Sequence, residues 1–504
     1  MADATTLTGT ARRGVATVRA HAAAIVAAPA FPLHAGVGAG VLVIVAVVFA
    51  GPVSGPSGLL FVAAALAMAA LVLGSPTAAM LVLLVASFTR LAVEVPALPS
   101  EPMVFALLAL MIVAGVAVFR GTMRFRIGAI EAAMALYLLW NLVSTVWPHD
   151  LPPVEPGTGA VVPVLRFIMT GTLMPFLAFV VARVAFRTER TIRPVLFLIT
   201  VLAAYSAAVS IVQFTGPTAL VWPHYILESR TWEGRAVGIF NQPVVNGLTM
   251  IAGFVTGMFL ARERSLRPAA RIAGLVVAAM CVPGIYLTHT RAVWLVFGLA
   301  VVLCAVFAAG ARAGFVVTLG GAVAFIALTW TTFTSSDRAA GGIGSTSEVD
   351  DRLNAIATAL WAIEQKPILG WGIARFAALN TYHHQVWAPN VDFRRGYAIA
   401  SHENELGIAA ELGVVGLVLW LAVLIGVIWK LLSVLRRMPV EGLAGRRLGL
   451  LALTVVGTWV VCGLTVDLRY FDFANLLVFL LVGAAIGAAE SVRAEPDRAP
   501  VAVR

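Results

Sequence analysis

The sequence predicts an all-α polytopic integral membrane protein with about 12–14 transmembrane helices. Three observations predict it. Of the 504 residues, 60% are hydrophobic and only 12% charged, against roughly 45–50% and 25% in soluble domains. Mean hydropathy is +0.94. The apolar residues gather into runs near the ~20 residues that cross a hydrocarbon core. Lipid leaves an open strand's backbone unsatisfied, so the runs are helices. They are too uniformly apolar for barrel strands, whose signature is alternation.

Taken in order, the spans fall at 34–51, 57–74, 76–96, 102–119, 127–147, 164–186, 192–214, 236–261, 269–288, 291–310, 313–333, 405–432, 448–466 and 472–490. Gly74, Ser75 and Pro76 make a tight turn between the second and third. The first span ends at Gly51-Pro52 without a small-residue cleavage signature, so it reads as a span and not a signal peptide. Residues 1–33 form a cytoplasmic tail, 34–333 an N-terminal bundle of eleven helices, 334–404 an extracytoplasmic loop, 405–490 three further helices, and 491–504 a second tail.

Charge sets the orientation. With Arg12, Arg13 and Arg19 in the cytoplasm, the inside loops carry Arg120, Arg124 and Arg126, then Arg183 to Arg193, Arg262 to Arg271, Arg312, and Lys430 to Arg447. Most cations then lie inside and most acids outside, as the positive-inside rule requires. Both termini are cytoplasmic. The formal charge of +10 therefore reads as topology-holding loops, and no nucleic acid partner is expected. Only Lys366 and Lys430 are lysines, which with the Ala, Val and Gly load reads as GC-rich bacterial coding. Cys281, Cys304 and Cys462 lie inside apolar runs, so neither a disulfide framework nor a Cys-x-x-Cys metal site is expected.

The 334–404 loop is too long for a mere connector. A flexible stretch from Ser335 to Ser345 precedes an amphipathic segment, Asp351–Gln365. Its apolar positions Leu353, Ile356, Leu360, Trp361 and Ile363 suit a helix lying on the membrane surface.

Ionisable residues at membrane depth are functional candidates. His402 ends the long loop, with Tyr397, Glu403 and Glu405 near enough to orient it, and imidazole is the natural general base at neutral pH. An interfacial histidine hydrogen-bonded to water is the plainer reading. Arg235 and Arg291 lie on the outer side, against the charge rule. Guanidinium grips phosphate bidentately, so two at one depth suit a diphosphate; snorkelling anchors are the alternative. Arg166 and Arg90 are weaker candidates, Arg90 with a salt bridge to Glu94 as its simpler account. Asp350-Asp351 reads as a helix N-terminus, and His383-His384 as a loop tip and not a metal pair. No Walker loop, HExxH, GxSxG or dinucleotide fingerprint is present.

Three blocks carry a family resemblance. Arg352 and Trp361 precede Pro367-Ile-Leu-Gly370-Trp371-Gly372. His402 is followed by Leu406, Glu411, Gly413 and Gly416. Gly238-Ile-Phe240-Asn241-Gln242-Pro243 and Thr290-Arg291-Ala292 complete the set. Together, across 230–430, they resemble the O-antigen ligase family of lipid-linked glycan ligases and polymerases. Departures are Glu403 where the family has Asn, Ser or Gln, Val244 where it has Asn, and more spans than usual.

The resemblance implies a GT-C-like, metal-independent and cofactor-free glycosyltransferase of the bacterial inner membrane. Its donor would be a saccharide on undecaprenyl diphosphate, and its acceptor a hydroxyl on a glycan, lipid or protein outside that membrane. His402 would be the base. Arg235, Arg291, Arg166, Arg352, Asn241, Glu403, Asn404, Trp371 and Tyr397 would bind substrate, and membrane lipids would surround the prenyl tail. Trp361, Trp371, Tyr382, Trp387 and Tyr397 would offer stacking faces to sugars. Ligase and polymerase stay undivided. A transporter of a small anion or lipid-linked glycan is the rival reading, and a scaffold the third. Convergence of His402, Arg235 and Arg291 separates the enzyme from both.

Overall fold

A computed structural model describes residues 74–93, 101–337, 341–344, 347–387 and 397–494. The first two expected spans, Glu94 and the extreme termini lie outside the described residues. The remaining twelve spans are all helical. We label the helices α1 (Pro76–Phe88), α2 (Pro102–Phe119), α3 (Ala129–Val143), α4 (Val164–Ala185), α5 (Glu189–Thr215), α6 (Pro243–Arg262), α7 (Pro268–Tyr286), α8 (Arg291–Phe307) and α9 (Arg312–Leu328). Two loop helices follow, α10 (Ser347–Gln365) and α11 (Phe376–Tyr382), then α12 (Asn404–Leu435), α13 (Arg446–Gly463) and α14 (Asp472–Ala494). Eight are long and apolar enough to cross a membrane, and α1, α3, α8 and α9 are shorter apolar helices. No strand occurs among the described residues, only an isolated bridge between Val154 and Val161. The chain is a polytopic all-α membrane protein.

Proline starts several helices where its missing N–H costs nothing: Pro76, Pro102, Pro243 and Pro268. Pro243 also corrects the expected eighth span. Residues 236–242 are a turn rather than helix, because Asn241 adopts a left-handed conformation (φ 48°) and Gln242 caps α6 by accepting from Val244 N at 2.9 Å. Helices α6 and α14 are almost wholly enclosed. Small residues make that possible: a Cβ on Gly253 would overlap Ala203 of α5, and one on Gly483 the Phe179 carbonyl of α4. At the rim, α9 buries only Phe315 and leaves Val316, Val317, Val323 and Leu328 exposed, the outward face a helix needs against lipid.

Ion pairs tie the helix ends into two groups. At one face Arg183 binds Glu490 at 2.7 Å and also Glu131, and Arg447 lies 3.3 Å from Glu263. At the other, Arg90 binds Glu101 and Asp472, and Arg166 binds Glu101. This is the alternation the span map demands. Arg90 is held by Glu101 and Asp472, its expected partner Glu94 lying outside the described residues, and Arg166 pairs with Glu101, a carboxylate that braces α2 against α4.

The long loop is folded. Helix α10 starts at Ser347 and buries Asn354, Ala355, Thr358, Ala359 and Ala362, not the expected apolar stripe. Ala359, Ala362, Trp371, Phe376, Leu379 and Ala410 form a small core of their own, joined by Trp361 and Ile363, while Leu360 stays exposed. The alanine face lets α10 sit on α12, so protein and not lipid receives its buried side.

Candidate active site

Two loops join the segments that carry the first two arginines. The segment before α6 pairs with the turn before α8: Ala236 N donates to Leu287 O at 2.8 Å, and His289 Nδ1 donates to Gly234 O at 2.7 Å. A carbonyl only accepts, so this bond fixes His289 as the Nδ1–H tautomer. His289 is buried and left-handed (φ 42°). Buried Asn246 supports the first loop by donating to Ala236 O at 3.0 Å and Ser210 Oγ at 2.9 Å. Arg235 lies over Trp232, 5.2 Å from the ring centre, and donates to Glu348 at 2.7 Å. Arg291 opens α8.

Helix α10 brings the third arginine. Burial, then the charges of Arg291 and Arg235, hold the Arg352 guanidinium below its ordinary pKa. His402 completes the group. Its imidazole is pushed down to about 4, first by burial and then by Arg352, against an opposing pull from Asp467. Arg235, Arg291, Arg352 and His402 thus lie close enough for each charge to act on its neighbour. His402 also has φ 55°. Asn241, His289, Ala374, Ala398 and His402 are the left-handed non-glycine residues among those described, all in loops between helices. Such strain costs about 1–3 kcal/mol per residue and gathers at functional sites.

The signature Pro-x-x-Gly-x-Gly and Glu-x-Gly blocks lock onto each other. Helix α12 breaks at Gly413 (φ 67°). There Gly372 N donates to Glu411 O at 2.8 Å, Trp371 N to Ala410 O at 3.0 Å, and Val414 N to Pro367 O at 2.8 Å. The Leu412 carbonyl freed by the break accepts from Trp140 Nε1 at 2.9 Å. Glu411 is fully buried and fully used: it accepts from Ala374 N at 3.0 Å, Phe376 N at 2.8 Å and Arg469 at 2.6 Å. Arg469 forks onto Asp467 at 2.6 and 2.9 Å, and Asp467 in turn accepts from Ser401 Oγ at 3.1 Å. A chain of hydrogen bonds therefore runs from the helix break to the residue before His402. Gly171, in a π-turn of α4, packs against the Arg469 carbonyl.

Several expected contacts are replaced. Glu405 does not face His402; it accepts from Asn404 at 3.1 Å and Trp420 at 3.3 Å. Glu403 caps α12 through Leu406 N, and burial pushes its carboxyl up to about 7. Asn404 is buried. Trp371 is buried with its faces taken by Trp361, His383 and Lys366 and its N–H bound to Ala362 O at 2.9 Å, so it packs the loop. Tyr382, Trp387 and Tyr397 remain exposed, as does Asn241. Among the described residues no cluster of His, Cys, Asp and Glu is placed to hold a metal. Asp467 and Arg469 escaped the sequence reading. On the span map read from the sequence Arg469 is another arginine against the charge rule, and that was the available signal.

Residues 275–421 match the family model described as O-antigen ligase. Over that stretch the chain is similar to O-antigen ligases. No curated protein matches it. The matched stretch carries Arg291, Arg352, His402, Glu411 and both glycine blocks, while Arg235, Asn241, Asp467 and Arg469 lie outside it. The O-antigen ligase-like stretch thus supplies the base candidate and two arginines, and the flanking helices supply the third arginine and the network beneath the histidine.

Proposed function

We propose that this O-antigen ligase-like protein transfers a saccharide from undecaprenyl diphosphate to an acceptor hydroxyl on the outer face of the bacterial inner membrane. What supports the reading is the electrostatic coupling of Arg352 to Arg235 and Arg291 on one side and to His402 on the other. Three guanidinium groups at one site suit a diphosphate. The imidazole is unprotonated at physiological pH and available to accept a proton.

In the proposed reaction the acceptor oxygen forms a bond to the anomeric carbon while the bond from that carbon to the diphosphate oxygen breaks. The electron pair leaves with the diphosphate, where Arg235, Arg291 and Arg352 stabilise the charge. The acceptor proton passes to His402. Bound diphosphate also offsets the charge of Arg352 beside His402, which strengthens the base once donor is in place. Exposed Tyr382, Trp387 and Tyr397 offer stacking faces to sugars.

The test is transfer by the purified full chain from a polyprenyl-diphosphate oligosaccharide to candidate acceptors. The expected result is a longer or newly attached glycan with release of polyprenyl diphosphate. In cells lacking the protein, accumulation of unpolymerised single units identifies a polymerase, and free lipid-linked polymer with unmodified acceptor identifies a ligase. Unchanged glycans together with absent transfer would overturn the reading.

A further inference from the structure

The carboxylate on Arg235 comes from the loop helix. Glu348 Oε1 sits 2.7 Å from Arg235 Nη2, with the arginine side chain 14% exposed. Glu348 lies in the first turn of α10, four residues before Arg352, so both occupy one helix face. One face of α10 therefore presents an anion to one member of the arginine group and adds a cation to the same group.

We propose that Glu348 is a placeholder anion. In the donor-free protein it takes the position on Arg235 that a diphosphate oxygen occupies when donor binds, and its displacement couples donor binding to α10. The inference rests on the reading of Arg235 as a diphosphate ligand. Three features support an exchange. Glu348 contacts Arg235 through a single nitrogen, whereas phosphate oxygens can engage the fork bidentately. A carboxylate in the first turn of a helix keeps a favourable interaction with the helix dipole after it lets go. Arg352 makes no ion pair among the described residues and gains a counter-charge from the same diphosphate. Donor entry thus releases one residue of α10 and engages another a turn away, which shifts the helix that walls the site.

Binding of inorganic diphosphate to the full chain in detergent, at fixed low ionic strength, tests this. Glu348→Gln removes the competing charge at constant shape, and diphosphate should bind about tenfold more tightly, the scale of one charge-assisted hydrogen bond. Arg235→Ala should weaken binding, and the double variant should match Arg235→Ala alone, since the gain requires the arginine. Glu348→Asp, which keeps the charge on a shorter arm, should tighten binding by less and serves if the glutamine variant does not fold. Unchanged or weaker binding in the Glu348 variants, with Arg235→Ala still impaired, overturns the placeholder alone. Wild-type affinity in Arg235→Ala overturns the clamp reading and the placeholder with it.

Discussion

His402 stands between opposite charges, with Arg352 lowering its proton affinity and Asp467 raising it. The sign of the pH dependence follows. A depressed imidazole pKa keeps the base neutral down to about pH 4 in the free protein, so the acid limb of kcat/KM should lie near 4 and not 6.5. Donor charge beside Arg352 raises the imidazole pKa, so the limb in kcat should lie higher. Arg352→Ala should move the kcat/KM limb upward. A limb near 6.5 in the wild type would count against His402 as the base. His402→Ala should fold normally and lose about 10²–10⁴-fold in rate, measured as glycan transfer at saturating donor. Arg235→Ala and Arg291→Ala should each raise the donor KM sharply, and lysine at either position should restore only part, because an ammonium lacks the fork. The arginines and the histidine could be singled out as candidates because cations against the charge rule and a lone imidazole stand out in an apolar chain. Composition shows that Trp371 carries an aromatic ring but not that its faces are occupied by Trp361, His383 and Lys366.

At the scale of elements, the break in α12 governs the site. Gly413 has φ 67°, and a Cβ there would overlap the Ile368 carbonyl; Gly370 opposes it at φ 70°. Gly413→Ala should lower thermal stability in detergent by roughly 1–3 kcal/mol or more, from strain plus loss of the loop contact. Gly457→Ala in α13, where nothing lies within 4 Å, should be neutral or stabilising by up to about 1 kcal/mol. Equal effects of the two substitutions would contradict the lock. Hydropathy located α12 closely, at 405–432 against Asn404–Leu435, but hid the break, since a glycine in an apolar run reads equally as a close-packing residue. Helix α10 was legible as a helix, yet its buried face was not: alanines carry little hydrophobic signal and bury only when a partner helix is present.

For the whole molecule, alternating loop charge predicted which helix ends meet, and the ion pairs at the two faces follow it. Orientation is the remaining test: a reporter fused after residue 345 should behave as extracytoplasmic and one after residue 440 as cytoplasmic, and swapped behaviour would overturn the map. The helical character of the described spans was legible because lipid leaves the backbone no other choice. The Asp467–Arg469–Glu411 network was not, because it joins residues 58 positions apart. That separation has a biosynthetic consequence. The chain is made from its N-terminus, so Ser401, His402 and Glu411 emerge before Asp467 and Arg469 exist. Until the last helical hairpin is inserted, Glu411 is a buried carboxylate without its cation and Ser401 has no carboxylate to hold. A polypeptide ending before residue 467 would contain the entire matched stretch and still lack the carboxylate that Ser401 holds, so, on the function proposed above, a nascent or truncated chain stays inert until residues 467–469 and α14 are in place.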